Sequence, residues 1–385
     1  MMKVNTDANK PIKMWLDNLE EGALEQAKNM ANLPFTYSHI AIMPDSHQGY
    51  GMPIGGVLAT EGVVIPNAVG VDIGCGMCAL QMPLKDISTE DLKKVMGLIR
   101  SRVPVGFKKH SEIQEGEFNR EFGNLPVAEF HKENALKSLG TLGGGNHFIE
   151  IQKGDDGYIW IMIHSGSRNL GKQVCDFYND KAKASNEFWY SKVEKDTDLA
   201  FIPMDCVLAL DYINEMNFCV DFALANRKLM MKRIVESFKD VCGVIPTSKL
   251  INESHNYARM ENHFGKNVMV HRKGATSAKV GEIGMIPGSQ GTKSYIVRGL
   301  GNKDSFESCS HGAGRAMGRK QAQRELDFET EKKLLDDQGV LHAMRGKKDL
   351  DEAPGAYKDI HVVMDNQKDL CEILVELTPL AVIKG

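Results

Sequence analysis

Apolar positions change their spacing several times along the chain, and each change predicts a different element. Between Met204 and Val241 they recur about every 3.6 residues, which predicts one or two long helices starting after Pro203 and ending at Gly243. A shorter amphipathic helix is expected over residues 16–32. Ser88 followed by Asp91 forms an S-x-x-D cap that opens a helix through about Arg102. In HFIEIQKGDDGYIWIMIHSGSR two β-rich runs flank GDDG and read as a hairpin. Centred on Asp155–Asp156, that hairpin would set His147 opposite His164 at its open end.

The stretch SHIAIMPDSHQGYGMPIGGVLAT reads as a strand, a polar glycine-rich loop and apolar chain again. The C-terminal third alternates glycine-rich polar loops (IPGSQGTKSY, SCSHGAGR) with a charged helix around 317–337, then ends on the apolar strand ILVELTPLAVIKG. Strands and helices mix without a regular βαβ rhythm, which predicts an α+β fold and not a doubly wound sheet. No repeat, low-complexity tract or Pro/Ser linker divides the chain, so a single domain over 1–385 is expected.

Composition narrows the classes of function. The 385 residues are 42% hydrophobic and 25% charged with net charge −4, so nucleic acid or an anionic membrane would need a local basic cleft. Glycine is abundant, 37 residues, and clustered, which points to loops where backbone approaches a ligand. No apolar run reaches the ~20 residues of a bilayer span, and MMKVNTDANKPIK has no apolar signal core. Eight cysteines are too sparse for a disulfide scaffold, so reduced thiols and a cytoplasmic location are expected.

Candidate chemistry begins at GVDIGCGMC, residues 70–78. Cys75 and Cys78 form a C-x-x-C pair, but a zinc ribbon needs a second pair and none exists, and a redox dithiol should open a helix in a βαβ unit. Cys78 runs into ALQMPL and is expected to point into the core, leaving Cys75 as the functional thiol. Five histidines, His47, His147, His164, His255 and His311, sit beside glycine-rich or polar loops. Asp72, one cysteine and three of these histidines would suit a transition metal such as Mn, Zn, Fe or Co, and a thiolate can bridge two ions. The loops GTLGGGNHF (140–148) and PGSQGTKS (287–294) could turn backbone N–H groups to an anion, though neither is a Walker A or a G-x-G-x-x-G motif. Arg168, Arg272, Lys273, Arg298 and Arg315 lie in or next to such loops as local positive charge, or as ordinary solvated side chains.

In this order the loops resemble the RtcB family of GTP-dependent RNA ligases. The matching motifs are PDSHQGYGMPIGG, GVDIGCGM, LGTLGGGNHFIEI, HSGSRNLG, SHNYA, HRKGA, PGSQGTKSYIVRG, SHGAGR, EAPGAYKDI and the final KG, spread over almost the whole chain. The resemblance implies joining of RNA 2′,3′-cyclic phosphate or 3′-phosphate ends to 5′-hydroxyl ends, in tRNA splicing or RNA repair. GTP and two Mn²⁺ ions are implied, with a histidine–GMP adduct on His311 and Asp45 orienting that ring. It places metal ligands on Asp72, Cys75, His147, His164 and His255, and none on Cys78. Guanine nucleotide is implied to sit among Asn146, Glu150, Asn256, Pro287, Gly288, Ser289, Ser294, His311, Gly312, Ala313, Gly314, Tyr357 and Lys384. Arg168, Arg272 and Lys273 are implied to face RNA, and His271 to face nucleotide or RNA or to be structural. Gln290 stands where many members carry methionine, and the compact stretch from Arg102 to Leu139 bears on RNA choice. A monomer, with an archease-type activator by family analogy, is expected. Two other readings carry different expectations: a phosphoesterase that only opens cyclic phosphates, and a non-catalytic RNA-binding module.

Overall fold

The computed structural model describes residues 2–114 and 117–385. The long apolar period forms one helix, Val207–Cys242, of 36 residues. It begins after Cys206 and stops at Gly243, whose φ of +69° favours glycine. Its first half packs Tyr212, Met216 and Phe222 with Val174 and Tyr178 of the helix Leu170–Phe188. Its second half packs Met230, Ile234 and Phe238 with Leu92, Val95 and Ile99 of the helix Thr89–Arg102. Ser88 caps that latter helix as expected, its side chain accepting from the Asp91 N–H at 3.1 Å.

Two sheets carry the site. One has six strands in the order Lys3–Asn5, Ile12–Met14, Thr36–Tyr50, Met52–Thr60, Lys266–Lys273, Asn256–His263. The other has seven: Ile251–Ser254, Gly76–Met82, Ile159–Ser165, Phe148–Gly154, Cys371–Lys384, Ser294–Gly299, Ile283–Ile286. Pairing within both is antiparallel except between Ile12–Met14 and Thr36–Tyr50. The α+β expectation holds. No helix among the described residues is long and apolar enough to cross a membrane.

Three local expectations are corrected. The hairpin exists, but its register is shifted by one: His164 pairs with Phe148, and His147 lies just outside the strand. The cause is a loop of odd length, closed by the Gly154 N–H to the Tyr158 carbonyl with Gly157 at φ +85°. The helix expected over 16–32 covers only Glu21–Asn32, because Trp15 and Leu16 are buried upstream in non-helical chain. The charged helix around 317–337 is two helices, Arg319–Glu325 and Phe328–Asp337, divided where Asp327 turns to cap the second by accepting from the Thr330 N–H at 2.9 Å.

Candidate metal and nucleophile site

The chain passes from the seven-stranded to the six-stranded sheet at one residue, His255, which lies between Ile251–Ser254 and Asn256–His263. Its N–H donates to the Cys75 carbonyl at 2.8 Å, lacing it to the GVDIGC loop. Within that loop the Cys75 N–H donates to the Asp72 carbonyl at 3.0 Å, a turn that brings carboxylate and thiol to one side. Asn256 completes the lacing: Nδ2 donates to the Asp72 carbonyl at 3.0 Å, and Oδ1 accepts from the Gly274 N–H at 2.7 Å.

Two histidines close on Cys75 from the other hairpin. His147 Nδ1 meets the Leu142 carbonyl at 3.0 Å and His164 Nδ1 the Asn146 carbonyl at 3.2 Å. A carbonyl only accepts, so each Nδ1 carries the proton and each Nε2 keeps its lone pair. Those Nε2 atoms lie 3.5 and 3.3 Å from Cys75 Sγ. His147 Nε2 is also 3.3 Å from Asp72 Oδ2, and His164 Nε2 is 3.4 Å from His255 Nε2. The donors thus form two overlapping triads, Asp72–Cys75–His147 and Cys75–His164–His255, each with its atoms within 4.8 Å of one another. Cys75 belongs to both.

The electrostatics fit a cation there. Burial, and next the Asp72 charge, push the Cys75 thiol well above its ordinary range, so a thiolate needs added positive charge. Burial holds His164 and His255 well below the usual imidazole range, in the neutral form that binds metal. Burial acts to raise the Asp72 carboxyl, but the hydrogen bond and charge of His147 overcome it and bring it down to about 2. A third group of this type is Glu261, His263 and Glu307, but the Arg272 guanidinium already neutralises Glu261 and Lys303 pairs with Glu307.

Cys78 points away from all this. It lies on the face of Gly76–Met82 that also presents Leu80 and Met82 to the helix core, fully buried, as expected from its alternation.

His311 lies beside the second triad, its ring 4.7 Å from that of His255. Its Nδ1 is 2.6 Å from Asp45 Oδ2, close but off the line of a straight hydrogen bond, while its own N–H donates to the same oxygen at 3.1 Å. Asp45 is fully buried and braced on both sides. Lys358 Nζ donates to the carbonyls of Pro44 and Ser46. Gly314, at φ +75°, lies so close that a Cβ there would sit 2.0 Å from the Asp45 carbonyl oxygen. His47 packs nearby with Nδ1 3.0 Å from the Asp45 carbonyl, and burial lowers its ring to about 4.

These groups open onto a cleft of about 1010 Å³. Its lining includes Asn146, Glu150, Asn256, Pro287, Gly288, Ser289, Gln290, His311, Gly312, Ala313, Gly314, Arg315, Tyr357 and Lys384. Burial pushes the Glu150 carboxyl up to about 8, against Gln152, Lys384 and Ser294, and Gln152 Nε2 donates to it at 2.5 Å.

Several expected site residues have protein partners of their own. Ser294 is fully buried behind the lining, its Oγ accepting from the Gly288 N–H at 3.1 Å, so it braces the loop. Arg272 is fully buried with all five N–H groups engaged, on Glu261, Ser308, the Phe306 carbonyl and the Tyr257 hydroxyl, and has none to offer RNA. Lys273 lines the cleft, but its ammonium donates to the carbonyls of Tyr50 and Asn67, and burial lowers it to about 8. Asn256 lines the cleft with its amide bridging backbone, as described. Arg168, partly buried, donates from Nε to Thr141 Oγ1 at 3.0 Å. His271 is structural: Nδ1 meets the Leu58 carbonyl and Nε2 accepts from the Ile65 N–H. Arg298 pairs with Glu372 at the surface, away from the cleft lining.

The family model described as tRNA-splicing ligase RtcB matches residues 26–125 and 116–385. This chain belongs to the RtcB family. The RNA-splicing ligase RtcB of Escherichia coli (strain K12) is 37% identical over 407 residues, covering 99% of this chain and 98% of that protein. The tRNA-splicing ligase RtcB of Thermococcus kodakarensis is 31% identical over 443 residues, covering 95% and 92%. The RNA-splicing ligase RtcB of Mycobacterium bovis is 31% identical over 436 residues, covering 94% and 100%.

Two residues of this RtcB chain escaped sequence reasoning. Glu352, which opens EAPGAYKDI, is buried and accepts from the Tyr357 hydroxyl, Lys384, Arg315 and Arg319, tying two implied nucleotide residues together. Arg227 is fully buried on the long helix. It donates to the carbonyls of Gly74, Ser165 and Glu253 and to Asn252 and Ser254. One guanidinium therefore pins the three segments that carry Cys75, His164 and His255. Its sequence signal is an arginine beside Lys228 on a largely apolar helix, which reads equally well as a solvated side chain. Arg227→Met is expected to lower unfolding stability by at least about 3 kcal/mol in urea titrations of chelated protein, because two buried and three partly buried acceptors lose a charged donor. A loss below about 1 kcal/mol would show that the segments hold themselves.

Proposed function

We propose that the protein is a GTP- and Mn²⁺-dependent RNA ligase that joins 2′,3′-cyclic phosphate or 3′-phosphate ends to 5′-hydroxyl ends through a His311–GMP adduct. The observation that carries this reading is the pair of ligand triads sharing Cys75 directly beside the His311–Asp45 pair. Membership of a family whose relatives are named as RNA- and tRNA-splicing ligases supplies the substrate class.

The chain's own groups suit each step. With Nδ1 held toward Asp45, His311 keeps an Nε2 lone pair to attack the GTP α-phosphorus. The new N–P bond forms as the bond to pyrophosphate breaks, and buried Asp45 balances the positive charge that develops on the ring. An oxygen of the RNA 3′-phosphate then attacks that phosphorus, breaking the N–P bond and leaving RNA capped by GMP through a pyrophosphate linkage. The 5′-hydroxyl attacks the RNA 3′-phosphorus, and GMP departs. Asp72, Cys75, His147, His164 and His255 would hold the cations, whose chemistry is to neutralise phosphate charge and to activate the water that opens a cyclic phosphate. Glu150, oriented by Gln152 on the cleft lining, would accept hydrogen bonds from the guanine edge as its carboxylate.

Incubation with GTP, Mn²⁺ and paired RNA ends should give joined RNA, and chelation with EDTA should reduce joining to background. Opening of cyclic phosphate without joining would establish a phosphoesterase instead. RNA binding with neither reaction would leave only a binding module.

A further inference from the structure

Tyr50 stands at the mouth of the cleft, and no step described above uses it. It ends the strand Thr36–Tyr50 and pairs with Met52 at the tip of the hairpin formed with Met52–Thr60. The residue lines the cleft yet is 75% exposed. Single exposed aromatics are ordinary; this one differs because the backbone under it is fixed. Gln26 clamps the preceding residue, Nε2 donating to the Gly49 carbonyl at 2.7 Å and Oε1 accepting from the Gly49 N–H at 3.0 Å. The buried Lys273 ammonium donates to the Tyr50 carbonyl at 2.5 Å. Gly51, at φ +67°, presses against Asp198, where an added Cβ would lie 2.7 Å from the carbonyl oxygen. The ring itself stacks on no other aromatic, and its hydroxyl has no hydrogen bond, among the described residues.

The same cleft is lined by Arg319, Lys320 and Arg324 of the short helix Arg319–Glu325. Arg319 is paired with Asp351 and Glu352, whereas Lys320 and Arg324 make no ion pair among the described residues. Glu20, also on the lining, is engaged by the Gln48 N–H. An aromatic face on a rigid turn, with free cations in the same cleft, is the combination that holds single-stranded nucleic acid: bases stack and phosphates meet the charges. Fixing the backbone beforehand lowers the ordering cost of the stack.

We propose that Tyr50 is a base-stacking platform at the cleft mouth that seats an unpaired nucleotide of the RNA strand near its reacting end, with Lys320 and Arg324 meeting the flanking phosphates. This rests on the RNA-joining reading. Tyr50→Ala is expected to raise the KM for RNA about tenfold while kcat at saturating RNA changes by less than about twofold, and Tyr50→Phe to restore the wild-type KM, since the face is kept and only the hydroxyl lost. A 2-aminopurine placed next to the 3′-phosphate of a single-stranded RNA should be quenched by wild type and Tyr50→Phe and left bright by Tyr50→Ala. A Tyr50→Ala KM within about twofold of wild type, or a probe left bright by wild type, overturns the proposal. Wild-type labelling by GTP separates the two readings. An unlabelled, non-joining wild type sinks the ligase reading, whereas a labelled, joining wild type with an indifferent Tyr50→Ala sinks only the platform.

Discussion

His311→Ala protein mixed with α-phosphate-labelled GTP and Mn²⁺ is expected to carry no covalent guanylate, while wild type takes label at one residue. The label should be acid-labile and alkali-stable, as a phosphoramidate is. Loss of joining should reach at least about a thousandfold, because no other group can replace a nucleophile that forms the bond. Neighbouring His255 and His47 are poor substitutes. His255 is buried among ligand donors, and His47 has its Nδ1 on a backbone carbonyl and, among the described residues, no carboxylate contact of the His311 kind. Asp45→Asn should retain some label, since the contact can remain while the charge that balances the imidazolium is gone. Label that persists in His311→Ala would move the nucleophile elsewhere and overturn the assignment.

The second large effect divides the two cysteines of GVDIGCGMC. Cys75→Ala removes the donor common to both triads, so both metal positions should weaken together. Metal analysis of the purified protein should show the bound content collapse, with joining down by at least about a thousandfold. Cys78→Ala should cost only about 1 kcal/mol of stability and leave metal content and joining intact, because its side chain packs in the apolar cluster with Leu80 and Met82, and its sulfur lies 3.9 Å from the Arg227 carbonyl. Equal loss of metal from both variants would mean that the pair acts as a unit.

Arg227 links these effects. The helix that carries it was legible as a helix; its role was not. A guanidinium donating to Gly74, Ser165 and Ser254 joins strands that meet only in the folded molecule. Catalytic geometry of this kind depends on groups that hold the ligand-bearing backbone as much as on the ligands.

What the sequence determined by itself was whatever depends on near neighbours. Ser88 and Asp91 set a helix start three residues apart, and Gly243 ends the 36-residue helix because that backbone needs a positive φ. Cys78 followed the two-residue alternation of its strand into the core. Motif order also carried the family, and the ligand types could be named before their positions were known. The tertiary structure alone decided the rest. Gly157 and an odd loop moved the hairpin register by one, which only ladder geometry could fix. Asp327 divided a charged run that periodicity left whole. Arg272 and Ser294 border loops that read as ligand-facing, yet they lie in strands, and their partners, Glu261, Phe306 and Gly288, hold them inward. Asp45 and His311 are 266 residues apart, and Asp72 and His147 are 75 apart. No local pattern encodes a contact across such distances; it exists because two sheets meet at His255 and bring four loops to one point.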